Sequence, residues 1–125
     1  NFSYRNAKKN DAAHQQSALE VIIVYKDEFE YQINELIDIL IERKYFAFKD
    51  SAVNYTNKIY DFIENKINFL ISKKSPKKFE KYGKKYLRYK ANNQTFWYIF
   101  FDQKEGKFLV NYILNNHSQD FPELL

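Results

Sequence analysis

Residues 95–101 read TFWYIFF and residues 108–114 read FLVNYIL. These two runs decide the fold. Each is short, strongly apolar and rich in aromatic or β-branched side chains, which suits a strand better than a helix. Between them, Asp102 to Lys107, with Gly106, reads as a turn. Upstream, residues 84–90 (KKYLRYK) alternate Tyr86, Arg88 and Lys90 against Lys85, Leu87 and Tyr89. Ala91-Asn92-Asn93 supplies the turn that follows. Three strands with short links predict an antiparallel meander.

Toward the N-terminus the apolar period changes. Phe29, Ile33, Leu36, Ile37, Leu40 and Ile41 recur at helical spacing, with Glu30, Asn34, Asp38 and Glu42 on the polar side. This predicts a helix capped by Asp27 and ending near Lys44. Ala52, Tyr55, Ile59, Phe62, Ile63, Ile67 and Leu70 predict a second helix, with Asp50 or Ser51 as its N-cap or an opening a few residues earlier, stopping near Ser72, ahead of Pro76. A short aromatic link at 45–49 joins them, so they pack antiparallel. Residues 19–25 (LEVIIVY) read as a buried strand. The expected architecture is α+β, in the order β-α-α-β-β-β, with a helical hairpin packed on a mainly antiparallel four-stranded sheet. Residues 1–17 read as a polar tail, and 18–125 as the domain.

The composition fits one such domain. The chain has 125 residues, 45% of them hydrophobic and 19% aromatic, enough to fill a small core. It has no cysteine, which removes disulfides, thiolate zinc sites and cysteine nucleophiles together. No apolar run approaches the roughly 18–20 residues of a membrane span, and no signal-peptide pattern is read at the start. The expectation is a cytoplasmic protein with no membrane partner.

Charge is segregated. Residues 73–90 hold nine Lys or Arg against one Glu, a local +8 in a chain of net charge +4, so the remainder carries −4. A basic segment on an acidic body points to an anionic partner, nucleic acid above all. Many familiar chemistries are missing. The two isolated glycines, Gly83 and Gly106, build no phosphate-binding loop. His14 and His117 have no spaced partners for a metal, so neither metal nor cofactor is expected. The remaining inventory is a basic, tyrosine-bearing surface: Lys77, Lys78, Lys81, Lys84, Lys85, Lys90 and Tyr86 as binding residues, with Arg88 and His117 as candidates for chemistry. A cation beside a scissile phosphate stabilises developing charge, and a histidine can move a proton. Lysines that hold phosphates perform no chemistry of their own.

The C-terminal half resembles the RelE/ParE superfamily of bacterial toxins. Tyr86-Leu87-Arg88-Tyr89 looks like its first hairpin strand, and Thr95 to Asp102 like its central strand. Residues 108–114, followed by Asn116-His117-Ser118-Gln119-Asp120-Phe121-Pro122, are similar to its closing strand and ending. The resemblance covers about residues 19–125, and Asn-Asn-His at 115–117 is its most distinctive piece. It implies a toxin of a type II toxin–antitoxin system, neutralised by a cognate antitoxin. Such a toxin acts on translation, by metal-independent cleavage of mRNA on the ribosome, or on DNA gyrase. It places Arg88 where one active-site cation sits and His117 near the terminal acid/base. The family's arginine in the central strand has no counterpart in Thr95-Phe96-Trp97. That departure keeps an alternative open: a decayed, non-catalytic protein of this fold that binds nucleic acid or a protein through its basic surface. An exposed sheet edge and the polar tail leave a homodimer as a third reading.

Overall fold

The computed structural model describes residues 21–43 and 47–117. The tail at 1–17, His14, residues 45 and 46 of the 45–49 link, and the ending from Ser118 lie outside those residues. Strand β1 (Ile22–Tyr25) leads into helix α1 (Asp27–Glu42), and helix α2 (Lys49–Lys66) follows. A two-residue strand β2 (Lys73–Lys74) and a 3-10 turn (Lys77–Phe79) precede strands β3 (Lys85–Lys90), β4 (Phe96–Lys104) and β5 (Lys107–Asn115). The class is α+β, as the periodicities predict. The sheet order is β1-β5-β4-β3-β2, with β1 parallel to β5 and every other pair antiparallel.

The sheet therefore has five strands and not four. Lys73 and Lys74 pair with Tyr86 and Lys85 at its edge. Two exposed lysines carry no apolar alternation, so no local pattern marks them as a strand; charge at an edge discourages further pairing. The second helix also stops earlier than its period suggests. Ile67 closes it, donating its N–H to Ile63 O at 2.9 Å, and remains buried. Leu70, the next position in the apolar series, is fully exposed. The cap positions shift as well. Asp27 is the first helical residue after Lys26, and α2 opens after Phe48; neither N-cap makes a side-chain cap bond. Asp27, Glu28 and Glu30 still place negative charge in the first turn of α1, where the helix dipole favours it.

The β4–β5 connection is tighter than the sequence implies. Asp102 lies inside β4, and Lys104 pairs with Lys107 around Glu105 and Gly106. Both turn residues have positive φ, 53° and 77°, the twist that a two-residue hairpin requires. One irregularity follows. Phe100 pairs with Tyr112 and Phe101 with Val110, which leaves Asn111 as an extra residue in β5.

Strand alternation sends the aromatic side chains to two separate layers. On one face, Leu87, Trp97, Ile99, Phe101, Val110 and Ile113 meet Phe29, Ile33, Ile59, Tyr60 and Ile63 from the helices. On the other, Tyr86, Tyr98 and Phe100 pack with Phe79, edged by Tyr82, Phe96, Tyr112 and Leu114. Polar bonds fix the helices to the first face. The Gln32 carboxamide donates to Ile113 O at 2.9 Å and accepts from Ile113 N at 3.0 Å, standing in for a neighbouring strand beyond the reach of β1. The Trp97 indole donates to the Tyr55 hydroxyl at 3.0 Å, and the Tyr25 hydroxyl to Glu64 at 3.0 Å.

Candidate nucleic-acid interface

The second aromatic layer is covered by the segment from Ser75 to Lys84. Local backbone bonds wind it: Phe79 N to Pro76 O at 2.8 Å, Tyr82 N to Phe79 O at 2.9 Å, and Gly83 N to Glu80 O at 3.2 Å. Two rings anchor it. Phe79 stacks on Phe100 with centroids 5.5 Å apart, and Tyr82 stacks on Tyr112 at 3.9 Å. Asp102 then locks its end. One carboxylate oxygen accepts from Lys84 N at 2.9 Å, and the other from the Asn111 carboxamide at 3.0 Å. The same carboxamide donates to Tyr82 O at 2.9 Å. The extra residue in β5 is what turns Asn111 to this task. Gly83 passes so close to β4 that a Cβ there would lie 2.6 Å from Phe101 N and 2.8 Å from Phe101 O. Only glycine fits.

With the rings held inward, the cations point out. Lys73, Lys74, Lys77, Lys78, Lys81, Lys84, Lys85, Arg88 and Lys90 are all exposed. The sequence-predicted lysines thus share one roof and one sheet edge. Their ammonium groups hold solvent-exposed charge, which acts over about a Debye length and weakens with salt. Tyr86 is different: it is 7% exposed, with its ring against Tyr98 and Phe100. It supports the face and offers no free ring for stacking.

Arg88 stands directly across from Tyr98 in the β3–β4 ladder. Its guanidinium carbon lies 5.0 Å from the centre of the Phe96 ring, a cation–π contact. Burial raises the Tyr98 phenol above its ordinary pKa of 10.0, while the neighbouring Arg88 charge and its hydrogen bond pull it back down. Ring and phenol together hold Arg88 in place on a surface that water still reaches.

His117 lies elsewhere. Its ring Nε2 is 3.5 Å from Thr95 Oγ1, and its backbone N–H donates to Asn115 Oδ1 at 2.8 Å. Between them, Asn116 accepts from Phe96 N at 3.0 Å and donates to Gln94 O at 3.0 Å. Asn115-Asn116-His117 is therefore a clamp that ties the end of β5 to the start of β4. His117 opens onto a cleft of about 410 Å³ on the helix side, walled by Leu36, Leu40, Tyr55 and Trp97, with Arg43 at its rim. Arg88 is not among the residues lining that cleft. The two candidates for chemistry sit at the same end of β4 but do not share a pocket.

Sequence reasoning missed Asp102, Asn111 and Arg43. Asp102 read as a turn residue, and the other two belong to no motif. Among the described residues, no three His, Asp or Glu gather into a metal site. None of the helices there is long and apolar enough to cross a membrane. Comparison with known protein families, with characterised proteins and with solved structures gave no match.

Proposed function

We propose that this protein is a cytoplasmic toxin of the RelE/ParE type, restrained by a cognate antitoxin, whose basic face engages RNA on the ribosome. The observation that carries the reading is the roof itself. Four of nine exposed cations, Lys77, Lys78, Lys81 and Lys84, are displayed on a segment anchored by buried rings, and the other five flank it on β2 and β3, so the positive field is held at a fixed place on the surface. The helical hairpin between β1 and the β3-β4-β5 meander, and the Asn115-Asn116-His117 clamp at the end of the last strand, support the family reading.

One observation favours a second reading, binding without cleavage. Arg88 and His117 open to different surroundings, and Trp97 of the central strand is buried with its indole bonded to Tyr55. In that reading the basic face blocks a target, DNA gyrase included, and cuts nothing.

Induced expression without an antitoxin separates these readings. Growth arrest with mRNA cut on ribosomes, abolished in Arg88→Ala or His117→Ala, is the expected result. Arrest with intact mRNA and inhibited supercoiling selects the gyrase-blocking form. Normal growth with folded protein present rejects the toxin reading. For the face itself, Lys77→Glu/Lys78→Glu/Lys81→Glu should flatten the salt dependence of single-stranded RNA binding. The slope of log affinity against log salt falls by about 0.7 for each phosphate that is no longer neutralised.

A further inference from the structure

The cleft beside His117 has a polar lining rich in donors, with the Thr95 hydroxyl able to donate or accept. Arg43 and His117 stand at its rim, and Asn92 and Asn115 line it. Each asparagine already has its carboxamide oxygen occupied: Asn92 accepts from Gln94 N at 2.8 Å, and Asn115 from His117 N at 2.8 Å. Each carboxamide NH₂ makes no hydrogen bond among the described residues and is free to donate, while each oxygen keeps one further lone pair. Arg43 can only donate. The cleft therefore combines apolar walls with a surplus of donors, and a ligand that fits it has a flat apolar body, acceptor atoms on its edge and an anionic group.

From this lining we infer that the cleft binds a nucleotide, with the base between the Leu36–Leu40 side of α1 and the Trp97–Tyr55 side, and the phosphate at Arg43 and His117. The volume of about 410 Å³ is in the range of small-ligand pockets and holds one nucleotide, not a folded partner. Asparagine carboxamides are among the groups that read base edges, and arginine is the side chain best matched to a phosphate. The same chemistry can arrive as a free mononucleotide or as one nucleotide of a single RNA strand. Neither source depends on the lysine roof, which lies apart from the cleft, although His117 is shared with the toxin reading.

Trp97 is the only tryptophan in the chain and forms one wall, so its fluorescence reports occupancy directly. The experiment titrates the full chain with the four 5′-monophosphates, the matching nucleosides, a hexaribonucleotide and an acidic leucine-bearing peptide. Saturable change in Trp97 emission is expected with the monophosphates, and weaker binding with the nucleosides. In Arg43→Ala the monophosphate should bind about tenfold or more weakly. Nucleoside binding should stay unchanged, so the advantage of the phosphate disappears. A merely structural role for Arg43 would weaken both equally and count against the site. The Lys77→Glu/Lys78→Glu/Lys81→Glu variant should keep its monophosphate response even where growth arrest disappears, which separates this inference from the proposed function. A hexaribonucleotide that binds tighter than the monophosphate, and loses that advantage in the triple variant, identifies the strand as the source; equal binding identifies the free nucleotide. No saturable response to any monophosphate, or a response to the acidic peptide alone, overturns the inference.

Discussion

The two faces of the sheet are covered in opposite ways. One lies under two helices of 16 and 18 residues, joined to it by a continuous aliphatic and aromatic core. The other lies under a single winding segment held by Phe79, Tyr82 and the Asp102–Asn111 lock. The first cover is thick and buries the residues that keep the chain folded. The second is thin, and nearly everything it shows to solvent is cationic. A binding surface can be built there because its charges need no burial, and the cost of crowding them falls on a local segment and not on the whole core.

The largest test of this contrast is Phe101→Ala, on the helix side. Phe101 is 1% exposed and packs on Phe108, so its removal should cost about 3–5 kcal/mol and destabilise the whole domain in urea unfolding. Asp102→Ala, one residue along but directed to the other face, should cost less, about 1–3 kcal/mol, because two donors lose their acceptor. Its signature is local. Amide exchange should accelerate across 75–84 and stay slow in α1 and α2. Uniform acceleration would mean that the roof is no separate unit.

The smallest effect concerns pH. Burial raises the phenols of Tyr98 and Tyr112 on the roof side, and of Tyr89 on the helix side, above 10.0. The folded chain therefore keeps these protons to higher pH than the unfolded chain does. These phenols add no pH dependence well below 10, and stability should fall above it, as the unfolded state ionises first. Urea midpoints measured against tyrosinate absorbance check this. Tyr98→Phe should blunt the alkaline decline.

Periodicity made most of the fold legible. The alternation in 84–90 and the short aromatic and β-branched runs at 95–101 and 108–114 located the three long strands, and the helical series around Ile33 and Ile59 located both helices. It misled at Leu70, where the spacing persists after the helix has ended and the side chain is in solvent. It was silent on β2, because two lysines carry no apolar signal. For the site, the local charge count found every lysine of the roof, since a run of like charges must stay solvated wherever it lies. It placed Tyr86 on the surface with them, whereas the ladder turns that ring into the aromatic layer.

By itself, then, the sequence determined the strands and helices, the segregated charge and the residues able to carry it. These follow from neighbours along the chain, where period and charge are local properties. Tertiary structure alone decided that Asn111 bulges out to help Asp102 hold the roof, and that Asn115-Asn116-His117 clamps the start of β4. It also decided that Arg43 and His117 meet at one cleft while Arg88 stands outside it. Each of these depends on residues distant in sequence meeting at one register of the sheet, and no local pattern encodes that register.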